Sequence, residues 1–332
     1  MLESVRFSVL ASTFSPHRDR FLPSPVQPAP RPVQLIEKAA SIPELSGIEL
    51  IHPAHVTPEN LAEIKAALDA NGLACASVAA SVSSKWKYLG GSLTADDPTV
   101  RRQAIDTIKI GMDLAAELKS GRINLWLGRD GFDYAFQIDY DQAWGRIVEA
   151  LREVCAYRPE IKIGIEYKSF EPRKRLLIST AAKVIALRHD VGAENLGALL
   201  DTGHALYAQE NLAEVVAFLA RSNALVHVHF NDNYRLNDDD LIVGTVNFLE
   251  TMEMLYWLER VQYQGWLSFD PHTSLEDPVR AVEESCKFVA GLIGMMERIG
   301  ATAIEGAIAT RQVTEMMALV NEELFGKESV GG

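Results

Sequence analysis

Acidic residues and histidines recur at the ends of short apolar segments between residues 164 and 270. The segments read GIEYK (164–168), LLDTGH (199–204), HVHFNDN (227–233) and WLSFD (266–270). An ionised group at the end of a buried strand needs a partner or a metal ion, because uncompensated burial of charge is costly. Most of the 45 Asp and Glu residues must lie on solvated surface. The position of these few groups, rather than their number, therefore indicates a site.

Side chains alternate faces along a strand, so groups from several strand ends can meet if the strands close a barrel. Three carboxylates and one imidazole at one point would be unstable without a cation, and with one they form a mixed oxygen and nitrogen site suited to Mn²⁺, Mg²⁺ or Co²⁺. Taken singly, such a carboxylate can instead be a cap or salt-bridge partner, and such a histidine a hydrogen-bonded core residue. The four residues predicted to converge are Glu166, Asp201, His229 and Asp270.

Strand and helix patterns alternate along most of the chain. The predicted strands are 6–14, 47–53, 73–81, 122–128, 162–168, 196–204 with its exit loop, 225–232 and 265–270; the predicted helices are 33–40, 57–71, 97–118, 140–157, 179–189, 212–221, 246–261, 276–299 and 304–325. Eight strands, each followed by a helix, imply a parallel sheet. Polar groups spread over many strand ends favour a single (β/α)₈ TIM barrel over a doubly wound open sheet. Neither GxGxxG nor GxxxxGK[ST] is present to support the open sheet.

Local signals set several boundaries. Six of the 14 prolines fall in 16–33, which predicts an irregular loop. Thr57 followed by proline predicts the start of a helix, and Gly72 predicts its end. The last predicted helix has an apolar stripe that a finished barrel does not need. We therefore divide the chain into a barrel (1–300) and a C-terminal helix and tail (301–332) that packs on the barrel or on a partner subunit, and we expect a homo-oligomer, a dimer or tetramer.

Composition narrows the function classes. The 332-residue chain has a net charge of −13 and a pI of about 5.1, which argues against nucleic acid or an anionic membrane as a partner. The N-terminus lacks the basic flank and apolar core of a signal peptide, and no apolar run approaches the roughly 20 residues of a membrane span. The cysteines Cys75, Cys155 and Cys286 are far apart, as expected for reduced thiols. We expect a cytoplasmic protein.

The strand-end motifs resemble those of the xylose isomerase-like barrels and, within them, of the L-rhamnose isomerase-like sugar isomerases. The resemblance runs from residue 47 to about residue 278 and is most specific at Glu166-x-Lys168, Asp201-x-x-His204, His229-x-Asn231-Asp232, Asp238-Asp239-Asp240 and Asp270. It implies a structural metal at the four predicted ligands, and a second, weaker catalytic metal near His204, Asp238 and Asp240. It also implies that Lys168 contacts the sugar oxygen at C1 or C2. On composition alone, the Asp-rich turn is a solvated loop, and Lys168 can pair with an acid such as Asp201.

The function implied is a divalent-metal-dependent isomerase that interconverts an aldose and a ketose, with a small sugar as substrate. The catalytic residues would be Lys168, Glu166, Asp270 and His204. Ketose 3-epimerases of the same fold use a second Glu where this chain has Asp270, which together with Lys168 favours the isomerase. The alternatives are a ketose 3-epimerase, a metal-dependent lyase or dehydratase with a general acid such as His52, His272 or Arg173, and a sugar-binding protein without activity.

Further residues are predicted to surround a bound sugar. Trp126, Trp86 and Phe132 have aromatic rings that can stack on its apolar face, or can simply pack. His52 follows the second strand and is predicted to bind a sugar oxygen, with a structural histidine as the alternative. Arg173 is predicted to bind substrate, or else to anchor the loop after the fifth strand.

Overall fold

The computed structural model describes residues 5–15 and 29–326, and in this part of the chain eight parallel strands close into a barrel. The strands are β1 (Arg6–Leu10), β2 (Leu45–His52), β3 (Ala74–Ala80), β4 (Arg122–Trp126), β5 (Gly131–Phe132), β6 (Lys162–Glu166), β7 (Phe170–Glu171), β8 (Lys174–Leu176), β9 (Leu196–Asp201), β10 (Leu225–Phe230) and β11 (Trp266–Phe269). The barrel order is β1-β11-β10-β9-β6-β4-β3-β2, and β5, β8 and β7 form a small separate sheet. The predicted (β/α)₈ barrel is confirmed.

Helices follow the barrel strands and surround them. They are α1 (Pro32–Ala40), α2 (Leu61–Asn71), α3 (Pro98–Glu117), α4 (Tyr140–Tyr157), α5 (Ala181–Val191), α6 (Thr202–Tyr207), α7 (Leu212–Arg221), α8 (Phe248–Arg260), α9 (Pro278–Ile299), α10 (Ala301–Thr310) and α11 (Val313–Phe325), with 3₁₀ helices at Ala11–Phe14 and Trp86–Tyr88. No helix in the described ranges combines the length and apolar character needed to cross a bilayer.

The inside and outside of the barrel wall differ in polarity. On β2, Ile48 and Leu50 are fully buried and belong to the hydrophobic core between strands and helices. Glu49 lies between them and therefore points to the other face, into the barrel. There it meets Asn124 of β4 and His227 of β10, and all three are at most 1% exposed. The barrel interior is thus lined in part by polar groups that hydrogen bond to one another.

Two predicted boundaries are wrong. The first strand ends at Leu10 and continues as the 3₁₀ helix rather than as strand to residue 14. Helix α2 begins at Leu61, not at Thr57, because the Asn60 side chain accepts the Thr57 N–H at 2.7 Å and forms a turn before the helix. Its predicted end is confirmed: Gly72 caps it with φ +65°. Most of the predicted proline-rich loop, residues 16–28, lies outside the described residues.

The C-terminal extension is present, but it consists of two helices where the sequence predicted one. Arg311 has φ +57° and separates α10 from α11. The pair folds back on α9, where Ile304 and Val320 are buried and Arg298 pairs with Glu323 at 2.6 Å. The division of the chain at residue 300 stays a prediction.

Candidate metal centre at the barrel mouth

Four strand ends bring the predicted ligands into one cluster. One atom from each of the four side chains lies within 4.8 Å of the others, and the set is Glu166, Asp201, His229 and Asp270. His229 Nδ1 is 3.3 Å from Asp270 Oδ2, 3.8 Å from Glu166 Oε1 and 3.9 Å from Asp201 Oδ2. The first three residues lie on β6, β9 and β10, and Asp270 directly follows β11. The carboxyl ends of four different strands therefore form the group.

The cluster holds more negative charge than its surroundings neutralise. The pKa of Asp201 is raised to about 7, mainly by burial and in part by the carboxylates of Asp270 and Glu166, against the opposing effect of His204. Burial also raises the pKa of Glu166. The Asn231 amide donates to Asp201 at 3.2 Å and to Asp270 at 3.1 Å, so it holds the two carboxylates side by side. A cation would remove the repulsion that remains.

Two ring nitrogens are placed to bind a metal ion rather than to form hydrogen bonds within the protein. Nδ1 of His229 and Nδ1 of His204 are buried and have no hydrogen-bond partner among the described residues. Both face carboxylates, with His204 Nδ1 3.7 Å from Glu166 Oε1 and 4.0 Å from Asp201 Oδ1. A set of carboxylate oxygens and imidazole nitrogens matches the preferences of divalent cations such as Mn²⁺. The residues present therefore fit the metal that the resemblance implies.

A second acidic group adjoins the first through His204. His204 Nε2 is 3.5 Å from Asp238 Oδ1. Burial lowers the pKa of His204, but the neighbouring carboxylates of Asp201 and Asp238 outweigh burial and raise this pKa to about 10. Asp240 follows with φ +50°, and burial together with nearby carboxylates raises its pKa well above the usual range. Asp238 is buried, so the interpretation of this turn as solvated is wrong for that residue.

Lys168 lies against the second acidic group. Its ammonium donates to Asp238 and to Glu171, and the side chain is 2% exposed. These partners differ from Asp201, the acid named above as the alternative ion-pair partner. Lys168 Nζ is also 5.4 Å from the centroid of the Trp126 ring, at the end of β4. A buried cation and an aromatic face thus border the acidic cluster.

Comparison with known proteins matches this barrel to one family. The model of the xylose isomerase-like TIM barrel family matches residues 36–292. The chain belongs to this family. It is 29% identical over 272 residues to a xylose isomerase of Thermus thermophilus, covering 77% of this chain and 70% of that protein. A xylose isomerase of Thermus caldophilus is 30% identical over 232 residues, covering 67% of this chain and 60% of the relative.

Solved structures agree on the architecture of this xylose isomerase-like barrel. A D-tagatose 3-epimerase-like protein superposes with a TM-score of 0.69 at 21% identity, covering 89% of this chain and 100% of that chain. An L-ribulose 3-epimerase superposes with a TM-score of 0.70 at 16% identity, covering 89% and 96%. At such identities the likeness shows the fold alone. The closer assignment to the L-rhamnose isomerase-like branch stays a prediction.

The other predicted substrate-binding residues lie in different settings around the family barrel. His52 ends β2, and its Nδ1 is 2.9 Å from the Val56 carbonyl oxygen. Trp86 sits on the 3₁₀ helix after β3 and is 85% exposed. Arg173 donates to the Tyr134 hydroxyl at 2.8 Å and pairs with Asp133 at 3.6 Å. These contacts tie the loop after β6 to the loop after β4, which favours the anchoring role for Arg173.

Two residues near the family site were missed from the sequence. Glu49 accepts hydrogen bonds from His227 Nε2 at 2.7 Å and from His229 Nε2 at 3.2 Å. Burial raises the pKa of Glu49, but the two histidines outweigh burial and hold this pKa well below its usual range. The available signal was a single acid inside an apolar strand, GIELI. The other is Gly203, where an added Cβ would lie 2.0 Å from Asn231 Oδ1, so the Asp201-x-x-His204 motif needs glycine at this step.

Proposed function

We propose that this chain is a divalent-metal-dependent sugar isomerase that interconverts an aldose and a ketose. The observation that carries the proposal is the buried Lys168 ammonium beside Asp238, next to the four-residue cluster. The relatives at 29% and 30% identity are xylose isomerases, which supports this reaction over the one named in the structural neighbours. A bound divalent cation would hold adjacent sugar oxygens and polarise the carbonyl.

We assign a separate role around the sugar to Lys168, to Trp126 and to the predicted metal ligands. Lys168 stabilises the negative charge that develops on the carbonyl oxygen as hydrogen moves between C1 and C2. Trp126 offers an aromatic face for the apolar side of the sugar. Glu166, Asp201, His229 and Asp270 would hold the tight metal, and His204, Asp238 and Asp240 would hold the weaker one. A hydride shift needs no strong base, whereas an enediol route does, and uptake of solvent deuterium into the product separates the two.

The second candidate is ketose 3-epimerisation, favoured by the shared architecture with L-ribulose 3-epimerase. It needs two carboxylates that act as bases on opposite sides of C3. Here His229 and Asn231 engage Asp270, and His229 lowers the pKa of that carboxylate against the effect of burial. A carboxylate held in this way is a weaker base. A lyase is less favoured, because His52 contacts Val56 and His272 Nδ1 lies 3.3 Å from Asp240.

The test is a screen of free aldoses and ketoses with chelator-stripped protein, with and without Mn²⁺. We expect one aldose–ketose pair to interconvert only when the metal is present. A C3 epimer as product would support the second candidate. Failure of metal-loaded protein to convert any sugar would contradict the proposal.

A further inference from the structure

Glu49 connects the barrel interior to the metal cluster. It lies on β2, whereas His227 and His229 lie on β10, and these strands are separated in the barrel by β1 and β11. The hydrogen bonds from the two imidazoles to Glu49 therefore cross the interior. Glu49, His227 and His229 are each at most 1% exposed. A buried carboxylate thus sits behind a predicted metal ligand, on the side away from the metal.

The same three residues could be taken for a metal site of their own, since their ligand atoms lie close together. The hydrogen-bond pattern favours another interpretation. His227 Nε2 and His229 Nε2 already lie 2.7 and 3.2 Å from Glu49 oxygens, as hydrogen-bonded groups do. Arg122 Nη1 lies 3.5 Å from His227 Nδ1, so a fixed positive charge already adjoins this group. A dication beside that guanidinium would be repelled.

The donors around Glu49 define which nitrogens carry protons. Ser77 Oγ donates to Asn124 Oδ1 at 2.7 Å, which turns the amide N–H toward the Glu49 carboxylate. An ionised carboxylate only accepts hydrogen bonds. Both imidazoles must therefore present Nε2–H to it. The 3.4 Å contact between Asn124 Nδ2 and His229 Nε2 is too long to require that Nε2 accept a hydrogen bond from Asn124 instead.

This tautomer has a direct consequence for His229. When Nε2 carries the proton of a neutral imidazole, Nδ1 carries the lone pair. Nδ1 is the atom that faces the carboxylates of the cluster, 3.3 Å from Asp270 Oδ2, without a hydrogen-bond partner among the described residues. We infer that Glu49 is a positioning residue: it holds His229 in the Nε2–H tautomer and aims Nδ1 at the metal. The inference rests on the proposed metal centre but not on the identity of the sugar.

Replacing Glu49 by glutamine tests the inference with little change in volume. The glutamine amide has an N–H₂ group that needs a hydrogen-bond acceptor. The nearest candidates are the Nε2 atoms of the two histidines, and each can accept only if its imidazole carries the proton on Nδ1. If His229 changes tautomer, its Nδ1 is protonated and lost as a ligand. Residues that hydrogen bond to metal-bound histidines typically contribute about 10- to 100-fold in metal affinity. We expect a loss of that size for Glu49→Gln, measured by calorimetric titration of chelator-stripped protein with Mn²⁺.

Asp130→Asn is the matched control. Asp130 is also 1% exposed and accepts hydrogen bonds from Ser92 and Thr94. This variant should melt at a lower temperature but bind Mn²⁺ like the wild type. A Glu49→Gln protein that loses thermal stability yet binds Mn²⁺ with wild-type affinity would overturn the inference. Wild-type protein that binds no Mn²⁺ would instead overturn the metal centre itself.

A second measurement does not depend on the variant folding. Long-range ¹H–¹⁵N spectra of histidine-labelled wild-type protein report the tautomer of each imidazole, and diamagnetic Mg²⁺ can be used for loading. We expect Nε2–H for both His227 and His229 in the loaded protein. An Nδ1–H signal assigned to His229 would contradict the inference.

Discussion

The Asp201 carboxylate takes part in three separate contacts. Its Oδ1 accepts the His204 N–H at 2.8 Å and caps α6, it accepts from the Asn231 amide, and it faces the other cluster carboxylates. Because α6 starts at once after β9, the same carboxylate positions His204 relative to the cluster. Asp201 is therefore placed to serve both predicted metal sites.

Metal binding at these groups should release protons. In the metal-free protein the pKa of Asp201 is raised to about 7 and that of His204 to about 10. A metal ion needs the ionised carboxylate and the neutral imidazole, so below pH 7 it displaces protons from both groups, and between pH 7 and 10 from His204. It also displaces a proton from His229, because burial lowers the pKa of that imidazole but Glu49 and Asp270 outweigh burial and raise this pKa well above its usual value. We expect affinity to rise with pH over this range. Titration calorimetry in buffers of different ionisation enthalpy measures the protons released, and an affinity that is flat from about pH 6 to 9 would contradict the prediction.

Lys168→Met removes the ammonium and keeps the length of the side chain. We expect turnover to fall on the order of 10²-fold, the scale for losing one charge-stabilising group, while the tight metal site is retained. Without metal the variant should also be less stable by about 3 kcal/mol, because it removes the buried ion pairs of Lys168 with Asp238 and Glu171. Steady-state kinetics, metal analysis and melting curves with and without Mn²⁺ check these points.

The control for Lys168→Met is Lys174→Met. Lys174 is 8% exposed and has Asp133 at 3.7 Å as its ion-pair partner. We expect the Lys174→Met variant to be less stable than the wild type but to keep its turnover. Near-normal turnover in metal-loaded Lys168→Met protein would exclude Lys168 from the mechanism.

The grouping of four cluster residues could be predicted from the sequence because each ends an apolar segment, and the carboxyl ends of parallel strands share one edge. Glu49 could not be placed in the same way. It lies mid-strand, and a fully apolar neighbourhood does not reveal which face of the strand points into the barrel. The ion pairs of Lys168 with Glu171 and Asp238 depend on the path of two loops, which the local sequence does not specify.

At the level of elements, the β9–α6 junction positions Asp201 and His204 through the glycine between them. A Cβ on residue 203 would lie 2.0 Å from Asn231 Oδ1, and Thr202 holds Asn231 through hydrogen bonds of 2.7 and 3.0 Å. Alanine at position 203 must therefore push the Asn231 side-chain amide away from the cluster carboxylates. We expect Gly203→Ala to weaken Mn²⁺ binding by about 10-fold or more, as measured by calorimetry.

Gly145→Ala provides the comparison. Gly145 lies within α4, and apart from its own helical turn no heavy atom of the described residues lies within 4 Å of a Cβ built there. Alanine at this position should leave metal affinity unchanged and stabilise the protein by about 0.5–1 kcal/mol through helix propensity. Equal metal affinity in the two variants would contradict the role of the junction.

Element types were more predictable from the sequence than element ends. The 3.6-residue period and the turn residues indicated the helices, and Gly72 and Gly192 do cap α2 and α5 with positive φ. The start of α2 and the break at Arg311 were missed. A side chain that closes a turn, such as Asn60, competes locally with a helical start. Arg311 adopts a left-handed conformation, which its residue type does not favour.

At the scale of the whole molecule, the C-terminal helices cover the barrel with one face and expose another. Large apolar side chains remain exposed on them, with Val313 at 66%, Leu324 at 46% and Phe325 at 68%. We predict that this face joins copies of the chain. Light scattering at micromolar concentration should give a mass above the 36.6 kDa of one chain.

A matched pair of variants locates the contact. Val313→Asp combined with Phe325→Asp should shift the protein toward monomer, whereas Phe218→Asp on α7, where the side chain is 41% exposed, should not. A wild-type protein that scatters as a monomer at this concentration would refute self-association.

Closure of the barrel between its first and last strands also bears on folding kinetics. Arg6 of β1 pairs with Trp266 of β11, so the ring is complete only when distant parts of the chain meet, which is a slow step. The four-residue cluster lies at the ends of β6, β9, β10 and β11, which are neighbours in the barrel order, so it can form before β1 joins β11. A metal ion that binds this cluster can therefore stabilise one side of the barrel before the slow closing step. Mn²⁺ should therefore speed refolding as well as slow unfolding, which stopped-flow experiments with and without the metal can measure.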